Sequence, residues 1–208
     1  MAEAERVRNL AWDACYNARE VGGYPAADGG QTRWQALVRA DNLHRLTPAG
    51  QAALREYGVR TIIDLRMAHE LESHPNPFAA PQGANDGPRY LHLPLIDLDT
   101  DAAYEAAVAT QGEYIEIVER SKQLLAKVIK AVAASLEEGG VLVHCHGGKD
   151  RTGIVVALLL SLAGVPRETI AEDYAMSEAR FESANSAWLE EQARIHGHPI
   201  ERPHWMYS

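Results

Sequence analysis

No stretch constrains this chain more than Val141-Leu142-Val143-His144-Cys145-His146-Gly147-Gly148-Lys149-Asp150-Arg151-Thr152-Gly153. A β-branched apolar run enters a segment with two adjacent glycines. The residues that follow, Gly153 to Ala163, are almost wholly apolar. That order predicts a buried strand, a tight loop and a buried helix. A chain with such a unit at its centre must cover both faces of a sheet.

The flanking sequence repeats the alternation. Asp28-Gly29-Gly30 is a turn signal between two candidate strands, the second being Thr32 to Ala40, which predicts a hairpin. Thr47 and Pro48 read as N-cap and first helical residue, and Gly58 as the stop. Val59 to Leu65 is a buried-type strand ending at Arg66, and a short helix is expected through Glu72. Ser73 to Pro88 is a proline-rich loop, and Tyr90 to Leu95 a further strand. Ile96 to Asp101 is an acidic loop, with a short alanine-rich helix expected from Asp101 to Thr110. Glu113 to Glu138 carries an apolar stripe at Ile117, Leu124, Val128, Val132 and Leu136. At ~1.5 Å per residue it would span roughly 35–40 Å, so a kink or a break into two pieces is expected. Gly139-Gly140 then turns the chain into the central strand. A helix is predicted over Arg167 to Met176, with Ser177 capping another to His196. The fold class is therefore α/β: a central, mostly parallel sheet with helices on both faces. In such sheets sites form beyond the carboxyl ends of the strands. Asp64-Leu65-Arg66, Leu95-Ile96-Asp97 and His144-Cys145 are expected to converge there.

The 208 residues read as one domain, residues 1–208. A net charge of -9 argues against a nucleic-acid partner and against general binding to anionic membranes. Positive charge for an anionic substrate must then be local to the site. The only cysteines are Cys15 and Cys145, which suits a reducing compartment. The start of the chain is too acidic for a secretory n-region. The longest apolar run, Ile154 to Ala163, falls well short of the ~20 residues that span a bilayer, so a cytoplasmic protein without membrane insertion is expected.

The residues of the central loop suit one chemistry. Gly147 and Gly148 permit backbone angles that turn successive N–H groups inward as an anion nest. The helix beginning near Thr152 adds its positive end. Both would favour a phosphate and a thiolate at Cys145. Arg151 offers a planar fork for two phosphoryl oxygens. The Thr152 hydroxyl could bond the sulfur as it leaves. A thiolate attacking phosphorus would give a phosphocysteine for water to hydrolyse. His-Cys-His could in principle ligate a metal, but strand alternation splits the side chains and no second cysteine lies nearby. Gly148-Lys149 is not a nucleotide-binding loop, because Asp150 follows where serine or threonine is required.

His144-Cys145-His146-Gly147-Gly148-Lys149-Asp150-Arg151-Thr152-Gly153 resembles the signature of cysteine-dependent tyrosine and dual-specificity phosphatases: His-Cys, five residues, Arg, Ser or Thr, Gly. The Gly-Lys-Asp-Arg-Thr-Gly form is similar to that of the bacterial atypical tyrosine/lipid phosphatases. Asn17-Ala18-Arg19-Glu20-Val21-Gly22-Gly23-Tyr24 resembles that group's Asn-x-Arg-Asp-Leu-Gly-Gly motif, departing at Glu20 and Val21. Arg60 to Arg66 and Ile170 to Ser177 also look like family segments. The likeness implies a tyrosine-phosphatase-like fold and no cofactor. It implies Cys145 as nucleophile, Arg151 as phosphate clamp and the backbone from His146 to Arg151 as cradle. Thr152 would assist release of the thiolate. His144 would orient the loop, or be an ordinary buried histidine. Lys149 is associated in the resembling group with multiply phosphorylated or lipid head-group substrates.

The general acid has two leading candidates. Asp150 lies inside the cradle, and Asp97 lies on the acidic loop with Asp99 and Asp101. Asp64 ends a neighbouring strand but has Arg66 as an evident partner. Ala102 to Glu138 is either a lid or a helix on the sheet. The expected activity is hydrolysis of phosphotyrosine, with phosphoserine, phosphothreonine or phosphoinositides as further substrates. A catalytically weak phosphate-binding module is the alternative from another class. An arsenate- or sulfur-handling enzyme is a third reading, in which Cys15 would have to serve as resolving thiol.

Overall fold

The computed structural model describes residues 7–79, 87–96, 113–196 and 198–199. Its centre is a five-stranded sheet of β1 (Arg19–Glu20), β2 (Leu37–Ala40), β3 (Val59–Asp64), β4 (Arg89–His92) and β5 (Gly140–His144). The order is β1-β2-β5-β3-β4, so the last strand in sequence enters the middle. Only β1 and β2 pair antiparallel; β2, β5, β3 and β4 run parallel. The expected hairpin is present, but Asp28 to Gly30 is a local turn closed by a Pro25–Gln31 bridge. Regular pairing begins only at Leu37, because Gln35 adopts a left-handed φ of 58°.

The inner strands β2, β5 and β3 are largely apolar on both sides because both are covered. Val141, Val143, Ile63 and Leu37 face one cluster, with Leu125, Val128 and Val132 of α4 (Lys122–Ser135) and Val155, Val156 and Leu160 of α5 (Asp150–Leu162). Leu142, Ile62, Val38 and Ala40 face the other, with Leu54 of α1 (Pro48–Tyr57), Trp12 and Phe78. The α/β class with helices on both faces follows directly. α1 starts as expected, with Thr47 Oγ1 accepting from the Gly50 amide at 3.2 Å, and ends at Gly58 with φ 104°. A short α2 (Ala68–Ser73) follows β3.

The long apolar stripe breaks into α3 (Glu113–Arg120) and α4 at Ser121. α4 packs on the sheet as a structural helix; residues 102–112, and with them the expected Asp101 helix, lie outside the described residues. The C-terminal reading needs correction. Ser177 caps nothing: α6 runs unbroken from Arg167 to His196. The Ser177 hydroxyl is buried and accepts from two arginines, which removes its use as a cap. No described helix is long and apolar enough to cross a membrane.

Candidate active site

Strand register brings the site together. Ala40, His144, Asp64 and His92 lie level at the carboxyl ends of adjacent strands. Beyond them the Leu65 amide bonds the His144 carbonyl at 2.9 Å, and the Leu95 amide bonds the Leu65 carbonyl at 3.3 Å. Cys145 follows β5 directly and is 2% exposed. Residues 145–149 then curl back to the first turn of α5.

Three consecutive carbonyls of this loop are tied down. His146 O accepts from the Asn42 amide at 2.8 Å. Gly147 O accepts from Asn17 Nδ2 at 3.0 Å, and Gly148 O from Arg39 Nη2 at 2.7 Å. Among the described residues every peptide bond is trans. In a trans peptide the N–H points opposite to the C=O. The amides of Gly147, Gly148 and Lys149 are therefore turned away from these anchors together, as an anion nest requires. Gly148 has φ 67°, and a Cβ there would lie 2.4 Å from Ala40 O. Gly148→Ala is expected to cost about 2 kcal/mol or more in stability, readable from the urea midpoint.

Arg151 is 4% exposed and gripped by a residue not singled out in the sequence. Glu70, on α2, takes both guanidinium ends: Nη2 to Oε1 at 2.9 Å and Nη1 to Oε2. Glu70 Oε2 also accepts the Met67 amide at 2.7 Å, which fixes its own rotamer. Burial opposes the Glu70 charge, yet the Arg151 bonds hold its carboxyl below the usual range. Thr152 Oγ1 is fully buried and has no hydrogen-bond partner, so a bond to Cys145 is not formed here.

His144 is fully buried. Its Nδ1 donates to the Cys145 carbonyl at 3.0 Å, and its Nε2 meets Asn76 Nδ2 at 3.0 Å and Asp64 Oδ2 at 3.3 Å. Asp64 is itself committed. It binds Arg66 through both oxygens, at 2.9 and 2.6 Å, and accepts from Tyr90 at 3.0 Å. Despite burial, His144 and Arg66 hold its carboxyl far below the ordinary range. A group so held has no proton to give.

His146 is half-buried, its Nδ1 3.9 Å from Glu70 Oε1. Its ring meets His74 at 5.9 Å between centroids, and His74 meets His44 at 4.5 Å. Burial pushes His44 down to about 4, helped by the other imidazoles. Burial and Arg151 also lower His146, against the pull of Glu70. Between about pH 6.5 and about 4 the unfolded His44 binds a proton that the folded one refuses. Stability is therefore expected to fall across that window as pH drops. It should fall further below about pH 4, where unfolded carboxylates take protons that Asp64, Glu70 and Asp173 resist. Urea midpoints at pH 7.5, 5 and 3.5 check both steps.

Lys149 is half-buried, with Nζ 4.0 Å from Glu178 Oε1. Asp150 opens α5, and its Oδ1 accepts from Tyr174 at 3.0 Å. Asp97, Asp99 and Asp101 lie outside the described residues. The structure thus gathers Cys145, His146, Gly147, Gly148, Lys149, Asp150, Arg151 and Thr152 in one loop and helix start. Sequence reasoning missed Glu70, Arg39 and Asn76. Glu70 had a signal, because an acid three residues after Met67 fits a capping box. Cys15 is buried and its Sγ donates to Asp41 Oδ1 at 2.9 Å. Burial and Asp41 push that thiol well above its usual range, which unsuits it to a resolving role.

A model of the tyrosine phosphatase family matches residues 10–202. A tyrosine-protein phosphatase of Nostoc commune is 38% identical over 146 residues, covering 68% of this chain and 48% of its own. The triple specificity protein phosphatase PtpB of Mycobacterium tuberculosis is 32% identical over 175 residues, covering 68% of this chain and 60% of its own. A putative tyrosine-protein phosphatase of Cupriavidus necator is 27% identical over 203 residues, covering 93% of this chain and 72% of its own. The chain spans about half the length of the first of these curated relatives and three-fifths of the second.

Proposed function

The chain belongs to the tyrosine phosphatase family, and from that premise we propose that it is a cytoplasmic phosphomonoesterase that hydrolyses phosphotyrosine through a phosphocysteine intermediate. The observation that carries this reading is the loop of three outward-tied carbonyls between a buried cysteine and a buried, carboxylate-held arginine. Two free thiols suit the compartment.

The Cys145 thiolate attacks phosphorus, and the bond from phosphorus to the substrate oxygen breaks. The inward amides and Arg151 carry the charge on the phosphoryl oxygens. Asp150, or Asp97 as second choice, gives its proton to the leaving oxygen. Water then attacks the phosphocysteine, the same carboxylate takes the water's proton, and the sulfur–phosphorus bond breaks. Thr152 donates its hydroxyl to the departing thiolate. Inorganic phosphate leaves. Lys149 and His146 line the approach and bind further substrate anions.

Phosphate release from p-nitrophenyl phosphate and phosphotyrosine peptides tests the reading, with rapid quench to trap the phosphoenzyme. Turnover at an ordinary enzymatic rate is expected. Phosphate binding without turnover would leave only a recognition module. Phosphoserine peptides and phosphoinositides in the same panel show how wide the specificity is. For the acid, loss of the basic limb of the pH–rate profile in Asp150→Asn or in Asp97→Asn names it.

A further inference from the structure

Behind the phosphate loop lies a buried charge cluster that none of these steps uses. Arg39, on β2, is fully buried. Its Nη2 donates to the Gly148 carbonyl at 2.7 Å and, more distantly, to the Lys149 carbonyl at 3.4 Å. The same nitrogen reaches Ser177 Oγ at 3.2 Å, while Nη1 pairs with Asp173 Oδ2. Asp173 and Ser177 stand one turn apart on α6, and both are buried. They also hold Arg19, whose Nε meets Asp173 Oδ1 at 3.1 Å and whose Nη2 meets Ser177 Oγ at 2.8 Å. Arg19 Nη1 bonds Asn17 Oδ1, and Asn17 in turn holds the Gly147 carbonyl.

Stability alone does not account for this arrangement. A buried ion pair is weak evidence for stability, since well-packed apolar residues often serve as well. What apolar residues cannot supply is a directed donor. The peptide between Gly148 and Lys149 most needs one. Gly148 has no side chain to limit its backbone, and its φ of 67° is one of many open to glycine. Left untied, that peptide could rotate its N–H out of the nest.

We propose that Arg39, held by Asp173 and Ser177, is a positioning residue for the reaction: its guanidinium fixes the Gly148 carbonyl outward and so aims the Lys149 amide at the bound phosphoryl group. The role belongs to the fork and not to the charge. One planar group must reach a carbonyl and a carboxylate together, and a lysine ammonium is a single point on a flexible stem. The proposal rests on the phosphatase reading, since it assumes that the nest receives a phosphoryl group.

The test compares parent, Arg39→Lys and Ser177→Ala in p-nitrophenyl phosphate kinetics. Inorganic phosphate is also titrated by calorimetry into each on a Cys145→Ser background. Arg39→Lys is expected to lose about 10²-fold in kcat, the scale for one misplaced oxyanion donor, although its charge is retained. Its phosphate Kd should rise about 10-fold per folded site. Ser177→Ala keeps every charge and removes one anchor, so both quantities should move the same way by about 3-fold. Parental kcat and Kd per folded site in Arg39→Lys overturn the proposal. Should that variant not fold, parental values in Ser177→Ala overturn it equally. A parent that neither binds phosphate nor releases it from p-nitrophenyl phosphate overturns the phosphatase reading instead.

Discussion

Serine in place of Cys145 is expected to cut phosphate release by on the order of 10⁴-fold or more. A serine hydroxyl keeps its proton at neutral pH and is a far weaker nucleophile than a thiol. Of the two flanking imidazoles, His144 spends Nδ1 on the Cys145 carbonyl and Nε2 on Asn76 and Asp64, and His146 lies against Glu70. The substitution hardly changes volume, so the loop should keep its shape and still bind inorganic phosphate. Kinetics and phosphate titration on the same sample check both halves. Turnover within 10-fold of the parent would remove Cys145 from the chemistry.

The second large effect is expected at Arg151. Arg151→Lys retains a positive charge but gives up the two-pronged grip on Glu70, leaving that buried carboxylate with a single cationic donor and the Met67 amide. A loss of about 10³-fold in kcat/KM is expected, because in the proposed mechanism the fork also meets two phosphoryl oxygens. Glu70→Gln should lose less, about 10-fold, since Glu70 orients the arginine without touching substrate. The double variant should then lose less than the product of the two singles, the mark of residues acting as a unit. A strictly multiplicative result would mean that Glu70 does not act through Arg151.

Local signals read this chain well where they were strong. Thr47-Pro48 and Gly58 bounded α1, because caps and a left-handed stop are written in single residues. The central strand, loop and helix were legible because each changes the apolar pattern. A kink or a break within Glu113 to Glu138 was expected from length alone, but not its place at Ser121. Ser177 misled: a serine between helical stretches looks like a cap, and only the fold brings two arginines to its hydroxyl. Glu70 and Arg39 escaped for a related reason. Their partners are 81 and 109 residues away, and nothing in a charged residue's neighbourhood states which distant group it will meet. The cysteine loop itself was readable as a unit because the thiol, the paired glycines and the guanidinium sit within seven consecutive positions.

The anchors of that loop also set when its shape can form. Asn17 and Gly147 are separated by 130 residues, and Arg39 and Asp173 by 134. On a ribosome Asn17 and Arg39 emerge well before the groups they hold. Such distant pairings form late and slowly. Until then the cysteine lies on an unshaped segment with no amide nest beside it. Formation of the loop is thus tied to completion of the sheet.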